Sequence, residues 1–379
     1  MNFTFTEEQE ELRRAARGFL DDHSSPEKVR AAMQDERGYD ADTWRRVGAE
    51  LGWPSVIIPE AYGGIGLTYV ELVALMEEMG RTLLCSPFFS TVCLAGNALL
   101  AAGTEEQKQE HLPAIAAGEK TATVAYTESN GRWDAFAVQA VARRDGEEFV
   151  LSGTKTFVVD GHTSDLLVIA ARTEGSSGEG GISLFVVPAD TPGIERRALP
   201  TMDQTRRQAE IGLDEVRVPA ASLMGEEGEG WKPLSHALDL ATIALSAEQV
   251  GGAERVLDMT VEYAKERKQF GRPIGSFQAI KHKCADMMVL VESARSASYY
   301  AGYAASVGDP EMPVLAALAK AYCSDAYFRC AAESVQIHGG VGFTWEYDVH
   351  LYFKRAKSTE TLLGDAAYHR ELVAQRINL

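Results

Sequence analysis

Two stretches in the last third of the chain carry residue types that bind anions. Residues 267–274 read RKQFGRPI, and residues 336–343 read QIHGGVGF. Arg267 offers a planar guanidinium, and the glycines of the second stretch let backbone N–H groups approach a phosphate closely because they have no Cβ. In this order, the two stretches predict that a dinucleotide-sized anion is held between helices.

The bulk composition is that of an ordinary globular protein and argues against several classes of partner. The 379 residues are 45% hydrophobic and 24% charged, and the length exceeds that at which one core keeps growing, so two or three cores are expected. A net charge of −18 argues against nucleic acid and anionic membrane as main partners. It does not exclude a phosphate-bearing ligand, because a local cluster of basic residues can bind a phosphate on a protein whose net charge is negative.

Cysteine usage and hydropathy make three further predictions. The five cysteines are widely spaced and form no CxxC pair, which favours neither a disulfide framework nor a zinc site, and no metal is predicted. The sequence contains no run of about 18 apolar residues, so no membrane span is expected. The N-terminus leads directly into a charged helical pattern without the features of a signal peptide. We therefore expect a cytoplasmic protein.

The spacing of apolar residues changes twice along the chain. Residues 1–120 show mostly helical spacing, beginning with a capping box at Thr6 and Gln9. Short β-rich runs separated by Gly, Pro, Asp and Ser follow, and long helical patterns then return. The prediction is an α+β protein with an N-terminal helical domain (1–120), a middle antiparallel β-barrel domain (121–230) and a C-terminal four-helix bundle domain (231–379).

Several short motifs accompany this order of elements. They are PEAYGGIG at 59–66, EEMGR at 77–81, TE at 127–128, GTKTF at 153–157 and the two anion-binding stretches. Each motif alone is weak, but their number, order and spacing resemble the acyl-CoA dehydrogenase family over essentially the whole chain. The resemblance implies an oxidoreductase that removes a proton α to a thioester and passes the β hydrogen to a flavin.

The resemblance also implies a set of residues that bind FAD in a site completed by a neighbouring subunit, so that at least a dimer is expected. On the barrel side, Phe157 offers an aromatic wall, whereas Val159 stands where the family usually has a hydroxyl and leaves only a backbone donor. The loop at 126–134 reads YTESNGRWD, bulkier than the usual family loop. By similarity, the residues that bind the cofactor are Tyr126, Thr127, Phe157, Val159, Arg267, Phe270, Gln278, Gln336, Gly339 and Gly340.

The catalytic base of the family is missing from this sequence. Members carry a carboxylate at one of two positions, which fall here on Leu363 and Ala241. Glu360 is a candidate substitute, because a helical segment would place it on the same face as Leu363. Asp365, Asp239 and Glu248 are nearby acids with less favourable spacing. The catalytic residue is therefore unknown from the sequence.

Several functions remain open on these residues. The resemblance implies α,β-dehydrogenation of an acyl-CoA thioester, with electrons passed to an electron-transferring flavoprotein. The chain is also similar to one subunit type of heteromeric enzymes for bulky, steroid-like acyl-CoAs, in which a homologous subunit carries the base; a homo-oligomer is the other arrangement. A flavin-dependent monooxygenase on the same fold and a non-catalytic acyl-CoA-binding subunit are the alternatives. Ser246, Gln249, Gly251 and Gly252 lie on the helix near the expected acyl cavity, where small residues would admit a wide substrate.

Overall fold

A computed structural model describes residues 5–379 and divides by spatial grouping into two units. The helical unit contains the described residues up to 31, residues 69–84 and residues 242–379. The sheet unit contains residues 32–68 and 85–241. Residues 1–4, which contribute to the expectation about a signal peptide, lie outside the described range. The helices are α1 (Glu7–His23), α2 (Pro26–Gln34), α3 (Ala41–Ala49), α4 (Tyr69–Arg81), α5 (Asn97–Ala102), α6 (Glu105–Ala116), α7 (Trp231–Glu266), α8 (Gln278–Ser306), α9 (Met312–His338), α10 (Val349–Thr361) and α11 (Ala366–Arg376).

The helical unit is a bundle in which α9 packs against α8, α10 and α11, while α4 packs against α1 and α8. The predicted capping box begins α1: the Thr6 hydroxyl accepts from Gln9 N at 3.3 Å, and Gln9 Oε1 accepts from Thr6 N at 2.9 Å. The final predicted segment forms two helices, because the chain leaves helical geometry after Thr361 and starts again at Ala366. A core of this unit contains Val250, Ala294, Cys323 and Ala326.

Helix α4 lies close to α7 through glycines of both helices. A Cβ on Gly251 would lie 1.7 Å from the carbonyl oxygen of Glu77, and one on Gly80 would lie 2.0 Å from that of Glu248. Any larger residue at either position would therefore push the two helices apart.

Two adjacent carboxylates of α4 are fully buried and tie neighbouring helices together. Glu77 accepts from Arg295 at 3.1 Å and from the Tyr299 hydroxyl at 2.6 Å. Glu78 accepts from Arg13 at 3.0 Å and from Arg17 at 2.8 Å. Because α1 supplies two of these guanidiniums, it neutralises charge that the bundle could not otherwise bury.

The sheet unit is built on an eight-stranded mixed sheet with the order β6-β7-β3-β2-β4-β5-β8, and β1 pairs with β4. The β1–β4 and β2–β4 pairs are parallel, and the others are antiparallel. Alternate side chains fill a core that includes Phe149, Ile169 and Phe185. The strands are β1 (Ala122–Ala125), β2 (Val141–Asp145), β3 (Glu148–Val159), β4 (Leu166–Thr173), β5 (Ile182–Pro188), β6 (Ile194–Ala198), β7 (Gln208–Pro219) and β8 (Leu223–Met224); β9 (Lys268–Gln269) and β10 (Arg272–Pro273) form a hairpin in the helical unit.

The predicted fold class is confirmed: helices come first, a β-rich middle follows, and a helical bundle ends the chain. In detail, the middle sheet is mixed and its strand order does not close, where an antiparallel barrel was expected. The boundaries at residues 120 and 230 stay a prediction. Within residues 5–379, no helix combines the length and the apolar composition needed to cross a bilayer.

Candidate functional site

The structure brings Arg267 and the glycine stretch at 338–340 to the same region of the helical unit. The Tyr263 ring of α7 stacks on the His338 ring at the end of α9, with 4.2 Å between centroids. The Tyr263 hydroxyl also donates to the His338 carbonyl oxygen at 3.3 Å. A cavity of about 410 Å³ is lined by both Arg267 and His338. The two stretches, some seventy positions apart, thus meet through an aromatic pair.

The surface beside this cavity has the chemistry of an anion site. The Arg267 side chain is exposed and has no ion-pair partner within residues 5–379. Gly339 and Gly340 are exposed, and a Cβ on either would meet no atom within 4 Å, so this backbone is open to a ligand. The cavity interior is lined by four carboxylates as well as by Arg255 and Arg267, so we expect a diphosphate to contact the open glycine surface rather than the interior. Those carboxylates belong to Glu262, Glu266, Glu346 and Asp348.

The remaining predicted contacts on this side are also accessible. Gln278 is the exposed first residue of α8, where the helix N-terminus favours an anion. Phe270 lies in the tight turn between β9 and β10, with φ +53° and 91% of its surface exposed. Gln336 is exposed on the last turn of α9. These side chains fit the diphosphate end of FAD, and they stay predicted as its ligands.

His338 is a packed residue rather than a catalyst. Its Nδ1 lies 2.8 Å from the Ser334 carbonyl oxygen, and burial lowers its pKa. The neutral ring is held between that carbonyl and the Tyr263 ring.

In the sheet unit, the predicted flavin contacts lie on and beside β3. Phe157 adopts φ +62° and is 41% exposed, so it can serve as an aromatic wall. The Thr127 hydroxyl donates to the Thr156 carbonyl oxygen at 2.6 Å, which leaves it acceptor capacity only. Val159 is buried, and its carbonyl oxygen accepts a hydrogen bond from the Thr123 hydroxyl at 2.7 Å. The centroid of the Tyr126 ring lies 6.3 Å from that of Trp133. Of these four residues only Phe157 is exposed, and all four stay predicted as flavin contacts.

A buried ion pair between Glu128 and Lys155 anchors the loop that follows Thr127. Glu128 Oε1 accepts from Lys155 Nζ at 2.7 Å and from the backbone N–H groups of Gln139 and Ala140 at 2.7 and 2.8 Å. Lys155 is fully buried, and desolvation lowers its pKa to about 8 despite the adjacent carboxylate. Glu128 therefore holds the loop and is not available as a base.

The far end of the same loop is held by Arg172 of β4. Its Nε donates to the Val138 carbonyl oxygen at 2.5 Å, and its Nη2 donates to that of Ala135 at 2.9 Å. On the outer side, Arg132 pairs with Asp134 at 2.5 Å, and half of its side chain is exposed. The loop is thus fixed at both ends and presents a charged outer rim.

Neither expected base position can take a proton, and each of the nearby acids already has a hydrogen-bond or ion-pair partner. Ala241 is fully buried in α7. Glu360 Oε2 accepts from Lys357 Nζ at 2.9 Å, and α10 ends at Thr361, so the argument that Glu360 and Leu363 share a helical face does not apply. Glu360 stays a weak candidate for the base.

The other acids near these positions have structural partners. Glu248 is buried and accepts from Arg355 Nη1 at 2.8 Å. Asp365 caps α11 by accepting from Tyr368 N at 2.8 Å. Asp239 is buried and also engaged.

A feature that the sequence did not reveal is the loop around Leu363 itself. Leu363 adopts φ +61° and is 5% exposed, yet its backbone N–H has no hydrogen-bond acceptor among residues 5–379. Its carbonyl oxygen accepts from His369, and the neighbouring carbonyls accept from Lys320. Lys320, a lysine within the apolar run of α9, was the sequence signal that could have predicted a buried polar contact with this loop.

The small residues of α7 serve helix packing and not a wide cavity, contrary to the expectation from the sequence. Gly251 faces the Glu77 carbonyl, and a Cβ on Gly252 would lie 2.5 Å from the Tyr327 ring. Gln249 donates to Ser324 Oγ and to the Thr359 carbonyl oxygen, each at 3.0 Å.

Within residues 5–379, no group of three or more His, Cys, Asp or Glu side chains is arranged to hold a metal ion.

Comparison with known protein families covers nearly the whole chain. Residues 6–119 match the N-terminal domain of acyl-CoA dehydrogenases, residues 123–216 the middle domain and residues 228–378 the C-terminal domain.

Individual relatives match at similar coverage. An acyl-CoA dehydrogenase of Mycolicibacterium smegmatis, IpdE2, is 36% identical over 95% of each chain. The structure of butyryl-CoA dehydrogenase from Megasphaera elsdenii is 31% identical, with a TM-score of 0.93 over 100% of both chains. A chain of the ChsE4–ChsE5 complex from Mycobacterium tuberculosis is 31% identical, with a TM-score of 0.89 over 100% of this chain and 99% of that one.

Proposed function

This chain belongs to the acyl-CoA dehydrogenase family of FAD-dependent oxidoreductases, and from that premise we propose that it is the base-lacking subunit of a heteromeric enzyme. The reaction is α,β-dehydrogenation of an acyl-CoA thioester. The observation that carries the proposal is the combination of Ala241 and Leu363 at the two base positions with no unengaged carboxylate beside them. A bulky, steroid-like acyl group is the proposed substrate class, supported not by the small residues of α7 but by likeness to the structure of a steroid-type relative, 32% identical over 98% of each chain. An electron-transferring flavoprotein is the proposed electron acceptor.

When bound, FAD supplies the acceptor for the β hydrogen, which leaves the substrate as hydride. The chain's own residues hold the cofactor and the thioester. Arg267 and the exposed glycine backbone would hold the diphosphate of a flavin that belongs to the neighbouring subunit. In the sheet unit, Phe157 would pack against a flavin ring. The Leu363 N–H donates to the thioester oxygen, where negative charge develops as the α proton leaves. A buried backbone donor without a protein acceptor is rare, and a ligand acceptor accounts for it.

Removal of the α proton falls to a homologous partner subunit that carries the carboxylate. The ChsE4–ChsE5 complex supports this division, because a chain of this fold assembles there with a second, differently named chain. A partner carboxylate in a dry pocket has the raised pKa that abstraction of a weakly acidic proton requires.

The test compares the purified chain alone with the chain co-expressed with a homologous subunit that has a glutamate at either base position. We expect the lone chain to dehydrogenate acyl-CoA at least about 100-fold more slowly than the complex, since a positioned base contributes about 10²–10⁴-fold. Strong activity of the lone chain would eliminate the proposal.

The missing base favours one other reaction, oxygenation by a reduced flavin, which needs no α-proton base. Oxygen consumption that depends on reduced flavin, without any acyl-CoA dehydrogenation in the complex, would support that monooxygenase. Tight acyl-CoA binding with no flavin absorbance would instead support a non-catalytic binding subunit.

Replacing Arg267 by methionine is expected to weaken FAD binding by about 10- to 100-fold, because a hydrogen bond to a charged group contributes about 1.5–3 kcal/mol. Arg14→Met, which removes the same charge from an exposed position on α1, is the matched control and should leave FAD affinity unchanged. Titration of the apoprotein with FAD measures both variants. Equal FAD affinity in the two variants would remove Arg267 from the cofactor site.

A further inference from the structure

The loop at 360–364 is held in a conformation that its sequence does not favour. Leu363 adopts φ +61° and Gly364 adopts φ +102°. A left-handed conformation is unfavourable for a residue with a side chain, so it persists only where surrounding contacts determine it. A Cβ on Gly364 would also lie 2.2 Å from the Tyr368 ring. The contacts that stabilise this loop are therefore identifiable.

The first contact is a buried lysine, whose pKa burial lowers to about 7. Lys320 of α9 is fully buried, and its Nζ donates to the Glu360 carbonyl oxygen at 3.1 Å, the Gly364 carbonyl oxygen at 2.9 Å and Ser324 Oγ at 3.0 Å. Three acceptors match the three N–H bonds of an ammonium. No carboxylate within residues 5–379 forms an ion pair with Lys320. Its donors are thus committed to the loop and to Ser324.

The second contact is a buried imidazole. His369 Nε2 donates to the Leu363 carbonyl oxygen at 2.9 Å, and its Nδ1 has no partner in the described part of the chain. Burial, with the nearby Lys320 charge, lowers the His369 pKa to about 3, which keeps the ring neutral. With Nδ1 unprotonated, the proton lies on Nε2, where the carbonyl needs it.

We propose that Lys320 and His369 are positioning residues that hold the Leu363 N–H in place for a thioester oxygen. The inference rests on the proposed function. Two side chains occupy the carbonyl oxygens of Glu360, Leu363 and Gly364, and the Leu363 N–H is left without an acceptor among residues 5–379. Loss of either side chain would let the loop relax, and a displacement of about 1 Å at such a donor costs about 100-fold in rate.

The experiment measures the binding of two ligands that differ only at the oxygen in question, an acyl-CoA thioester and the corresponding S-alkyl-CoA thioether. The FAD-loaded chain in its assembled form should bind the thioester about tenfold more tightly than the thioether, since one hydrogen bond contributes about 1 kcal/mol or more. Lys320→Met and His369→Leu should remove this preference while thioether affinity stays unchanged. His369→Gln, which keeps an N–H donor, should retain part of the preference for the thioester over the thioether.

Each outcome has a distinct meaning. Variants that keep the wild-type preference would overturn the positioning role, whereas a wild type without any preference would overturn the thioester contact in the proposed function. Lys281→Met on the exposed face of α8 is the matched control for loss of a lysine. If Lys320→Met does not fold, the His369→Leu and His369→Gln pair still decides the question, because they differ only in the donor.

Discussion

Replacing Leu363 by glutamate is expected to raise acyl-CoA dehydrogenation by the lone chain about 10²–10⁴-fold, the range that a positioned general base contributes. Leucine and glutamate have similar size, and the loop backbone is already held by Lys320 and His369. At 5% exposure, the new carboxylate would be largely desolvated, which raises its pKa toward the range useful for abstracting a proton. Steady-state assay with an artificial electron acceptor measures the gain.

Two controls separate the new base from a change in packing. Leu363→Gln has nearly the same shape but cannot accept the proton, so it should remain as slow as the wild type. Glu360→Gln, combined with Leu363→Glu, should leave the gain intact, because Glu360 pairs with Lys357. A Leu363→Glu variant that binds FAD and acyl-CoA yet stays inactive would show that the base position lies elsewhere.

Replacing Lys155 by methionine is expected to lower the free energy of unfolding by about 3–5 kcal/mol, the cost of leaving a buried charge without its partner. Lys155 is fully buried, and Glu128 would then face only the N–H groups of Gln139 and Ala140. Urea denaturation followed by circular dichroism measures the loss.

The matched control is the double variant Lys155→Met, Glu128→Gln. The glutamine is neutral and its carbonyl oxygen can still accept from those N–H groups, so the double variant should recover a large part of the lost stability. A single variant as stable as the wild type would mean that the pair is not desolvated in solution.

The pH dependence of stability gives an independent check on the same pair. The Lys155 pKa is lowered to about 8 in the folded protein from 10.5, so the folded state binds fewer protons than the unfolded state between these values. Stability therefore rises with pH across that window. Below pH 8 both states are protonated and the contribution is constant. Lys155→Met should reduce this slope and leave the part that comes from Lys320, whose pKa burial lowers to about 7; unfolding curves recorded from pH 7 to 10.5 measure the difference.

The sequence predicted features that depend on local spacing. The capping box at Thr6 specifies the start of α1 because its two partners are three residues apart. The order of helical and β-rich segments follows from apolar periodicity in the same way. The two stretches carrying Arg267 and Gly340 were expected to lie together on resemblance, and each has the exposed chemistry that an anion site needs.

What the sequence could not predict depends on contacts between distant residues. The parallel pairing of β1 with β4 joins residues about forty apart and has no local signature. Gly251 could equally have opened a cavity or allowed a close helix approach, and only the position of Glu77 decides between them. The end of α10 before Leu363 is likewise decided by Lys320, which lies 43 positions earlier and donates to Gly364 and Glu360.

The arginines that α1 contributes to Glu77 and Glu78 have a consequence for shortened forms of this protein. A polypeptide translated from the internal methionine at position 33 would retain both acids in an apolar interior while losing Arg13 and Arg17. Such a product would expose the bundle to water around those acids, and we expect it to be degraded or to aggregate.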